Sequence, residues 1–222
     1  KLIAQDPKSA EIIKPILRGR DIKRYKAEFA DKWLIATFPA LNLDINDYSA
    51  VKAYLETFGK RIYQTGETFT DEEGNTQKSR KKTGNKWFET QDQVAYHQEF
   101  EKEKIAWNRI ASKKLFSLID EGIIIQDSMH FFTGNHLKFL CAILNSKLFS
   151  WFMYLIIGDA AGGNAGNADN VSNLTIIKPT EQLELQIENL LKNEQYSEID
   201  KIIYQLYDLT DEEIAFIEKA SK

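Results

Sequence analysis

The chain has 222 residues with 29 Lys and Arg against 33 Asp and Glu, and its net charge of −4 excludes a uniformly basic protein. This length suffices for one large domain, or for one domain with a helical appendage. The single Cys141 excludes an internal disulfide framework and a cysteine-rich zinc site, and the three histidines show no metal-ligand spacing.

The charge is unevenly distributed along the chain. Residues 1–120 hold 22 Lys and Arg against 18 Asp and Glu, whereas residues 121–222 hold 7 against 15. A basic first part followed by an acidic second part favours an anionic ligand for the former and a different role for the latter. The basic residues cluster in two segments, 14–26 and 74–88. Such clusters suit a polyphosphate partner, and the alternative is that both are solvated surface segments.

Strand and helix signals alternate at the beginning of the chain. Residues 31–39 are dense in β-branched and aromatic side chains, which predicts a strand. Apolar residues at helical spacing predict an amphipathic helix over 49–63. Residues 66–85 are polar and contain three glycines, which predicts a long exposed loop or hairpin.

Further strands are predicted in the middle of the chain, at 86–89, 104–110, 115–119, 122–126 and 128–133. The turn at 120–122 predicts that two of them, 115–119 and 122–126, form a hairpin. Residues 137–157 are strongly apolar, but Asn145, Ser146 and Lys147 interrupt them. Neither half reaches the roughly 20 residues of a membrane span, so the pattern predicts two buried helices, the second capped by Ser146.

The last part of the chain is predicted to be mainly helical. Residues 158–170 form a Gly, Ala and Asn loop, and 174–177 a short strand. Helices then follow, with cap signals at Thr180, at Ser197 with Asp200, and at Thr210 with Glu213. The pattern therefore predicts fold class α+β, with a mixed body over residues 1–179 and a helical segment over 180–222.

Signals for catalysis are weak. A DNA methyltransferase would need a glycine-rich cofactor turn and an Asn/Asp-Pro-Pro-aromatic loop, and neither occurs. The glycine loop lacks the Lys-Ser/Thr of a phosphate-binding P-loop. Glu99, Glu101 and Glu103 leave a metal-dependent nuclease as a remote alternative. We therefore expect a domain that catalyses nothing and holds no metal or cofactor of its own.

The cations of the polar loop are the first candidates for phosphate binding. They are Lys78, Arg80, Lys81, Lys82 and Lys86, and the first basic segment adds Lys23 and Arg24. Flexible cations in a polar loop can follow a nucleic-acid backbone. For Arg20 and Arg24, an internal ion pair with Asp21 or another acid is an open alternative.

Polar side chains suited to base edges form a second set. They are Gln91, Gln93, Asn108, Arg109, Asn164 and Asn167. Arginine pairs with guanine, and asparagine or glutamine with adenine, in the major groove. Spacing alone does not decide which of them faces DNA. Trp33, Trp87 and Trp107 alternate with apolar residues, and we expect them in the core.

Taken together, several segments make the chain resemble the TaqI-like C-terminal specificity domain. That domain follows the methyltransferase domain in type IIG restriction-modification enzymes and related phage-defence methyltransferases. The resembling segments follow one another in order: PILRGRDIKRY, KWFE, KIAWNRI, FLCAILNSKLFSWF, IIKP and IIYQLYDLTDEEIAFIE. The resemblance covers nearly the whole chain.

The resemblance implies a DNA target recognition domain akin to half of a type I specificity subunit. It implies an α/β body that reads duplex DNA through variable loops, here residues 64–95 and 158–170. A helical segment then packs against another domain, while RGRDIKRY and AILNSKL belong to the scaffold. S-adenosylmethionine is expected in a methyltransferase domain of the same bacterial, cytoplasmic protein, of which this chain would be a piece.

Two main hypotheses therefore stand. In the first, the chain recognises a DNA sequence and positions a separate catalytic domain over an adenine. In the second, it is a protein-interaction module that uses the helical segment and binds no DNA of its own.

Overall fold

The computed structural model describes residues 1–110, 115–157 and 168–220. For residues 154, 156 and 157 it describes the backbone but not the side chains. The fold is α+β, as predicted. The helices are α1 (Leu2–Gln5), α2 (Ser49–Glu56), α3 (Leu137–Asn145), α4 (Lys147–Ile157), α5 (Ala168–Ser172), α6 (Glu181–Lys192), α7 (Tyr196–Leu206) and α8 (Asp211–Ala220). The strands are β1 (Ile13–Leu17), β2 (Tyr25–Lys26), β3 (Trp33–Ile35), β4 (Thr68–Thr70), β5 (Thr76–Lys78), β6 (Lys104–Asn108), β7 (Phe116–Ile119), β8 (Ile124–Ile125) and β9 (Met129–Phe132).

The chain divides into two compact units. Unit 1 consists of Lys1–Pro15 and Asp31–Glu99, and unit 2 of Ile16–Ala30 and Phe100–Lys222. Strand β1 spans the division, so its first residues belong to unit 1 and its last two to unit 2.

Unit 1 combines a short antiparallel strand pair, helix α2 and a hairpin. Strand β3 pairs with the first half of β1, with Ile13 opposite Ile35. Strands β4 and β5 form the predicted hairpin, with Thr68 opposite Lys78. The core consists of Ile12, Ile45, Tyr48, Val51, Leu55 and Phe88.

Three predictions for unit 1 need correction. The helix predicted over 49–63 ends at Glu56, because Gly59 takes a left-handed φ of 53° and a 3₁₀ turn, Gly59–Ile62, follows. Residues 86–89 form a turn, not a strand. Trp33 is 53% exposed and donates from Nε1 to Asp31 Oδ1 at 2.8 Å, so it is not in the core.

Unit 2 is built on a four-stranded sheet in the order β2-β7-β6-β9. Strand β6 pairs antiparallel with β7 and β9, and β2 pairs parallel with β7. Strands form near 115–119 and 122–126, but the hairpin predicted between them is wrong. Both edges of β7 are taken by β6 and β2, and β8 pairs instead with Ile16 and Leu17 of β1.

The helices of unit 2 share one apolar core with this sheet. Trp107 is 2% exposed, as predicted, and Cys141 packs there as a small apolar side chain at 1%. Helices α6 to α8 contribute Ile187, Ile199, Ile203 and Ile217 to the same core. One face of each of the helices α6, α7 and α8 is therefore part of the hydrophobic interior of unit 2.

The predicted caps are confirmed at three of four positions. Ser146 Oγ accepts from Phe149 N at 3.2 Å, and Thr180 Oγ1 from Leu183 N at 3.2 Å. Thr210 and Glu213 form a reciprocal capping box. Ser197 caps nothing, because α7 begins at Tyr196 and the carboxylate of Asp200 accepts instead from Lys147 N at 2.9 Å.

The apolar stretch at 137–157 forms the two predicted helices, α3 and α4. No helix in the described part of the chain has the length and apolar character to cross a membrane. Residues 174–177 are not a strand, and residues 168–170, predicted as loop, begin helix α5.

Candidate nucleic-acid interface

Three exposed lysines lie at the end of the β4–β5 hairpin of unit 1 and directly after it. Lys78 ends strand β5, and Lys81 and Lys82 follow it. Within the part of the chain that the structure describes, none of the three forms an ion pair with a carboxylate. A fourth lysine, Lys86, is also exposed, but its Nζ donates to Leu43 O at 3.0 Å and lies 3.8 Å from Glu89 Oε1. The first three cations are therefore available to an anionic partner.

Arg80 lies in the same segment but is held differently. Its Nε donates to Ile62 O at 2.7 Å, Nη1 to Glu89 O at 2.8 Å and Nη2 to Trp87 O at 2.5 Å. Burial lowers the pKa of its guanidinium, since desolvation disfavours the charged form. Sequence reasoning placed Arg80 among the phosphate contacts, whereas its donors point at three main-chain carbonyls inside unit 1.

The side chain of Gln64 forms further hydrogen bonds to the same loop. Its Nε2 donates to Lys86 O at 3.0 Å and to Glu89 O at 2.8 Å, and its Oε1 accepts from Thr83 Oγ1 at 2.6 Å. Gln64 is buried, and so is Glu89, whose Oε2 accepts from Lys86 N at 2.7 Å. These bonds give the loop a defined conformation without regular secondary structure.

Gln91 and Gln93, the two glutamines of this loop that are predicted to read bases, are both exposed. The side chain of Gln93 reaches Asn85 Oδ1 at 3.5 Å, the outer limit of a hydrogen bond. The Gln91 side chain is exposed, while its main-chain carbonyl accepts from Asn85 Nδ2 at 3.0 Å. Lys81, Lys82 and Gln91 thus belong to one stretch of chain that hydrogen bonds hold within unit 1.

In unit 2 the base-reading candidates Asn108 and Arg109 lie at the end of β6. Asn108 Nδ2 donates to Gly19 O at 2.9 Å, so its amide already has a partner. Arg109 is exposed, with Nη1 3.4 Å from Asp127 O. Arg109 and Arg20 line the same shallow cleft, together with Gly19, Asn108, Ile110 and Ser128.

The cations of the first basic segment are largely engaged within unit 2. Arg18 donates from Nε and Nη2 to the carboxylate of Asp21, each at 3.0 Å, and this lowers the pKa of Asp21. Arg24 donates from Nε to Asn145 O at 3.0 Å and lies 3.8 Å from Asp200. Lys23 Nζ donates to Arg20 O at 3.1 Å and lies 3.6 Å from Glu28.

Two base-reading candidates, Asn164 and Asn167, fall outside the described residues, as does most of the glycine loop. Sequence reasoning did not predict the role of Gln64, Asn85 and Glu89, whose side chains hydrogen-bond to the loop. No sequence signal marks them, because most of their partners are main-chain groups.

For a catalytic centre, the described residues offer no metal-binding group of three or more His, Cys, Asp or Glu side chains. Lys104, next to the acids considered for a nuclease, is fully buried and donates from Nζ to Asp120 O at 3.0 Å. Its burial lowers its pKa to about 8. This lysine is enclosed by the protein.

Comparison with protein families identifies the class of domain. The model of the TaqI-like C-terminal specificity domain matches residues 14–163. The match covers more than half of the chain, and the chain therefore belongs to this family of DNA sequence-specificity domains of restriction-modification enzymes. Such a domain is non-catalytic in itself. A search of curated proteins found no match.

Proposed function

We propose that the chain is the target recognition domain of a bacterial, type IIG-like restriction-modification enzyme with adenine methyltransferase activity, acting in phage defence. It binds duplex DNA sequence-specifically and positions a separate catalytic domain over an adenine. The observation that carries the proposal is the hydrogen-bonded loop of unit 1, which holds the exposed Lys78, Lys81 and Lys82, without carboxylate partners among the described residues, and the exposed Gln91. Family membership supports the same role.

The candidate residues divide into contacts and supports. Lys78, Lys81 and Lys82 bind phosphates and set the register of the domain on DNA. Lys86 contributes weakly, since Glu89 lies near its charge. Arg80 and Arg24 support the fold instead, because their guanidinium groups donate to main-chain carbonyls. Lys23 contributes weakly, since Glu28 lies near its charge.

Base reading is assigned to the exposed polar side chains. Gln91, Gln93 and Arg109 are the candidates among the described residues, whereas Asn108 holds the Gly19 turn. Asn164 and Asn167 remain predictions from the sequence.

The proposed partner within the parent protein is a methyltransferase domain, which would hold S-adenosylmethionine. Apolar side chains exposed on two helices of unit 2 support such a contact. Phe152 and Leu155 of α4 are 39% and 57% exposed, and Phe216 of α8 is 60% exposed. The ring of Phe216 packs edge-on against Trp151 of α4 at 5.9 Å, so the exposed apolar side chains lie on two adjacent helices, and we call them the apolar patch. Helices α6 to α8 then contribute to the core of unit 2, and α8 also contributes to this contact.

The salt dependence of DNA binding tests the proposal. Replacing Lys81 and Lys82 together by alanine should reduce the slope of log affinity against log salt by about 0.9 for each phosphate that the variant no longer neutralises. The charge-matched control is K201A with K219A, which removes two exposed lysines of α7 and α8 and should leave the slope unchanged. An unchanged slope in the loop variant would show that this loop does not touch phosphate.

The apolar patch also favours the second hypothesis, a protein-interaction module. Deleting residues 180–222 cannot distinguish the two, because it removes side chains from the core of unit 2. The F216S variant changes the patch and leaves the core in place. If the unmodified chain binds no DNA even at low salt, and F216S abolishes association with a methyltransferase domain, the interaction module is the correct function.

A further inference from the structure

We propose that Gln91 determines specificity for an A·T base pair and that Arg80 is the positioning residue that holds it in place. The inference rests on the proposed function, because it assumes that the loop of unit 1 meets DNA. It assigns the residue that contacts the base, the base pair that this residue prefers, and the residue that holds it in position.

Arg80 joins three separate points of the chain with one side chain. Its acceptors are the carbonyls of Ile62, at the end of the 3₁₀ turn, and of Trp87 and Glu89, in the turn before Gln91. The planar guanidinium presents its donors in a fixed geometry. A lysine offers a point charge on a flexible stem and cannot hold three acceptors in the same arrangement.

Residues on both sides of Gln91 are fixed by other bonds. Thr90 N donates to Thr37 O at 2.9 Å, and Ala40 N donates to Gln93 O at 3.3 Å. Asn85 Nδ2 donates to the carbonyls of Thr90 at 2.9 Å and Gln91 at 3.0 Å. The backbone of Gln91 is thus held within unit 1, although its side chain is exposed.

The chemistry of the side chain defines the ligand. A glutamine amide carries one acceptor and two donors, and it pairs in a bidentate manner with N6 and N7 of adenine in the major groove. A backbone that is already ordered loses little conformational entropy on binding. Lys81 and Lys82 contribute sequence-independent electrostatic attraction to DNA, whereas Gln91 determines which base pair is preferred.

The test compares four forms of the full chain: unmodified, Q91A, R80K and the double variant. Selection from a randomised duplex library first gives the preferred sequence of the unmodified chain. Competition with duplexes that change one base pair at a time then measures discrimination at each position. We expect Q91A to lose discrimination at one A·T pair by about 5- to 150-fold. R80K should lose it at the same pair, and the double variant should lose no more than either alone.

A purely structural role for Arg80 predicts a different pattern. It would lower the melting temperature and weaken binding to all sequences equally. R80K keeps the charge, so the salt slope should stay unchanged while discrimination at one pair falls. R61K is the matched control, because Arg61 is an exposed arginine of the same unit, and it should leave both quantities unchanged.

The outcomes separate this inference from the proposed function. If the unmodified chain binds no DNA, or all duplexes equally, the proposed function fails. If it discriminates and Q91A keeps full discrimination, Gln91 is not the reader. If R80K keeps full discrimination, Arg80 does not position Gln91. Should R80K not fold, Q64M removes the two bonds to Lys86 O and Glu89 O and should produce the same loss at the same pair.

Discussion

Asn108 and Gly19 approach each other so closely that a side chain at residue 19 would displace the Asn108 amide. Asn108 Nδ2 donates to Gly19 O at 2.9 Å. A Cβ atom at residue 19 would lie 2.4 Å from Asn108 Oδ1. This contact links the turn of the RGRD segment to the end of β6 within unit 2.

Replacing Gly19 by alanine should therefore destabilise the protein. The added methyl group forces the Asn108 amide away from its acceptor, and we expect a loss of about 1–3 kcal/mol in the free energy of unfolding. Urea denaturation measures it. G84A is the control, because a Cβ at Gly84 meets no atom within 4 Å. Equal stability of the two variants would contradict the role of this contact.

The Arg18–Asp21 pair should make stability depend on pH in the acidic range. The bonds from Arg18 lower the pKa of Asp21 below its ordinary value of 3.8. A depressed folded-state pKa gives stability that is present above the unfolded pKa and is lost as pH falls through the folded one. D21N should therefore cost stability at pH 7, and this cost should shrink as pH falls below 3.8. Urea denaturation of both forms across this range checks it, and a pH-independent difference would contradict it.

The buried Lys104 predicts a pH dependence at the alkaline end. Its pKa falls to about 8 in the folded chain, from 10.5. Below pH 8 both states are protonated and burial of the charge costs stability in full; above it the folded state loses its proton first, so stability rises toward pH 10. The rise is on the order of 3 kcal/mol.

K104M should remove this alkaline rise, because methionine carries no proton to lose. Urea denaturation between pH 7 and 10 measures it. K201M, at a lysine whose side chain is 66% exposed, should keep the rise. Identical pH profiles for K104M and the unmodified chain would show that Lys104 is not the cause.

Three of the four helix caps predicted from local signals in the sequence are present in the structure. The caps at Ser146, Thr180 and Thr210 depend on residues three positions away, and all three form. The hairpin predicted at 115–126 was wrong because strand pairing there depends on partners far along the chain. Strand β7 finds its neighbours in β6 and β2, and β8 finds its neighbour in β1.

The candidate site was predictable only in part. Composition located the basic loop, in which Lys78, Lys81 and Lys82 are exposed. Their role as phosphate contacts stays a prediction. The sequence does not distinguish Arg80 from these lysines, because its acceptors are main-chain oxygens that any residue provides. Gln64 was missed for the same reason.

That dependence on main-chain oxygens has an evolutionary consequence. Among the described residues, the guanidinium of Arg80 donates to the main-chain carbonyls of residues 62, 87 and 89, and such carbonyls persist whatever side chains replace the present ones. Mutation can thus exchange the outward-facing residues of the loop while its frame survives. If this loop reads DNA as proposed, we expect the domain to acquire a new target by few substitutions, without refolding.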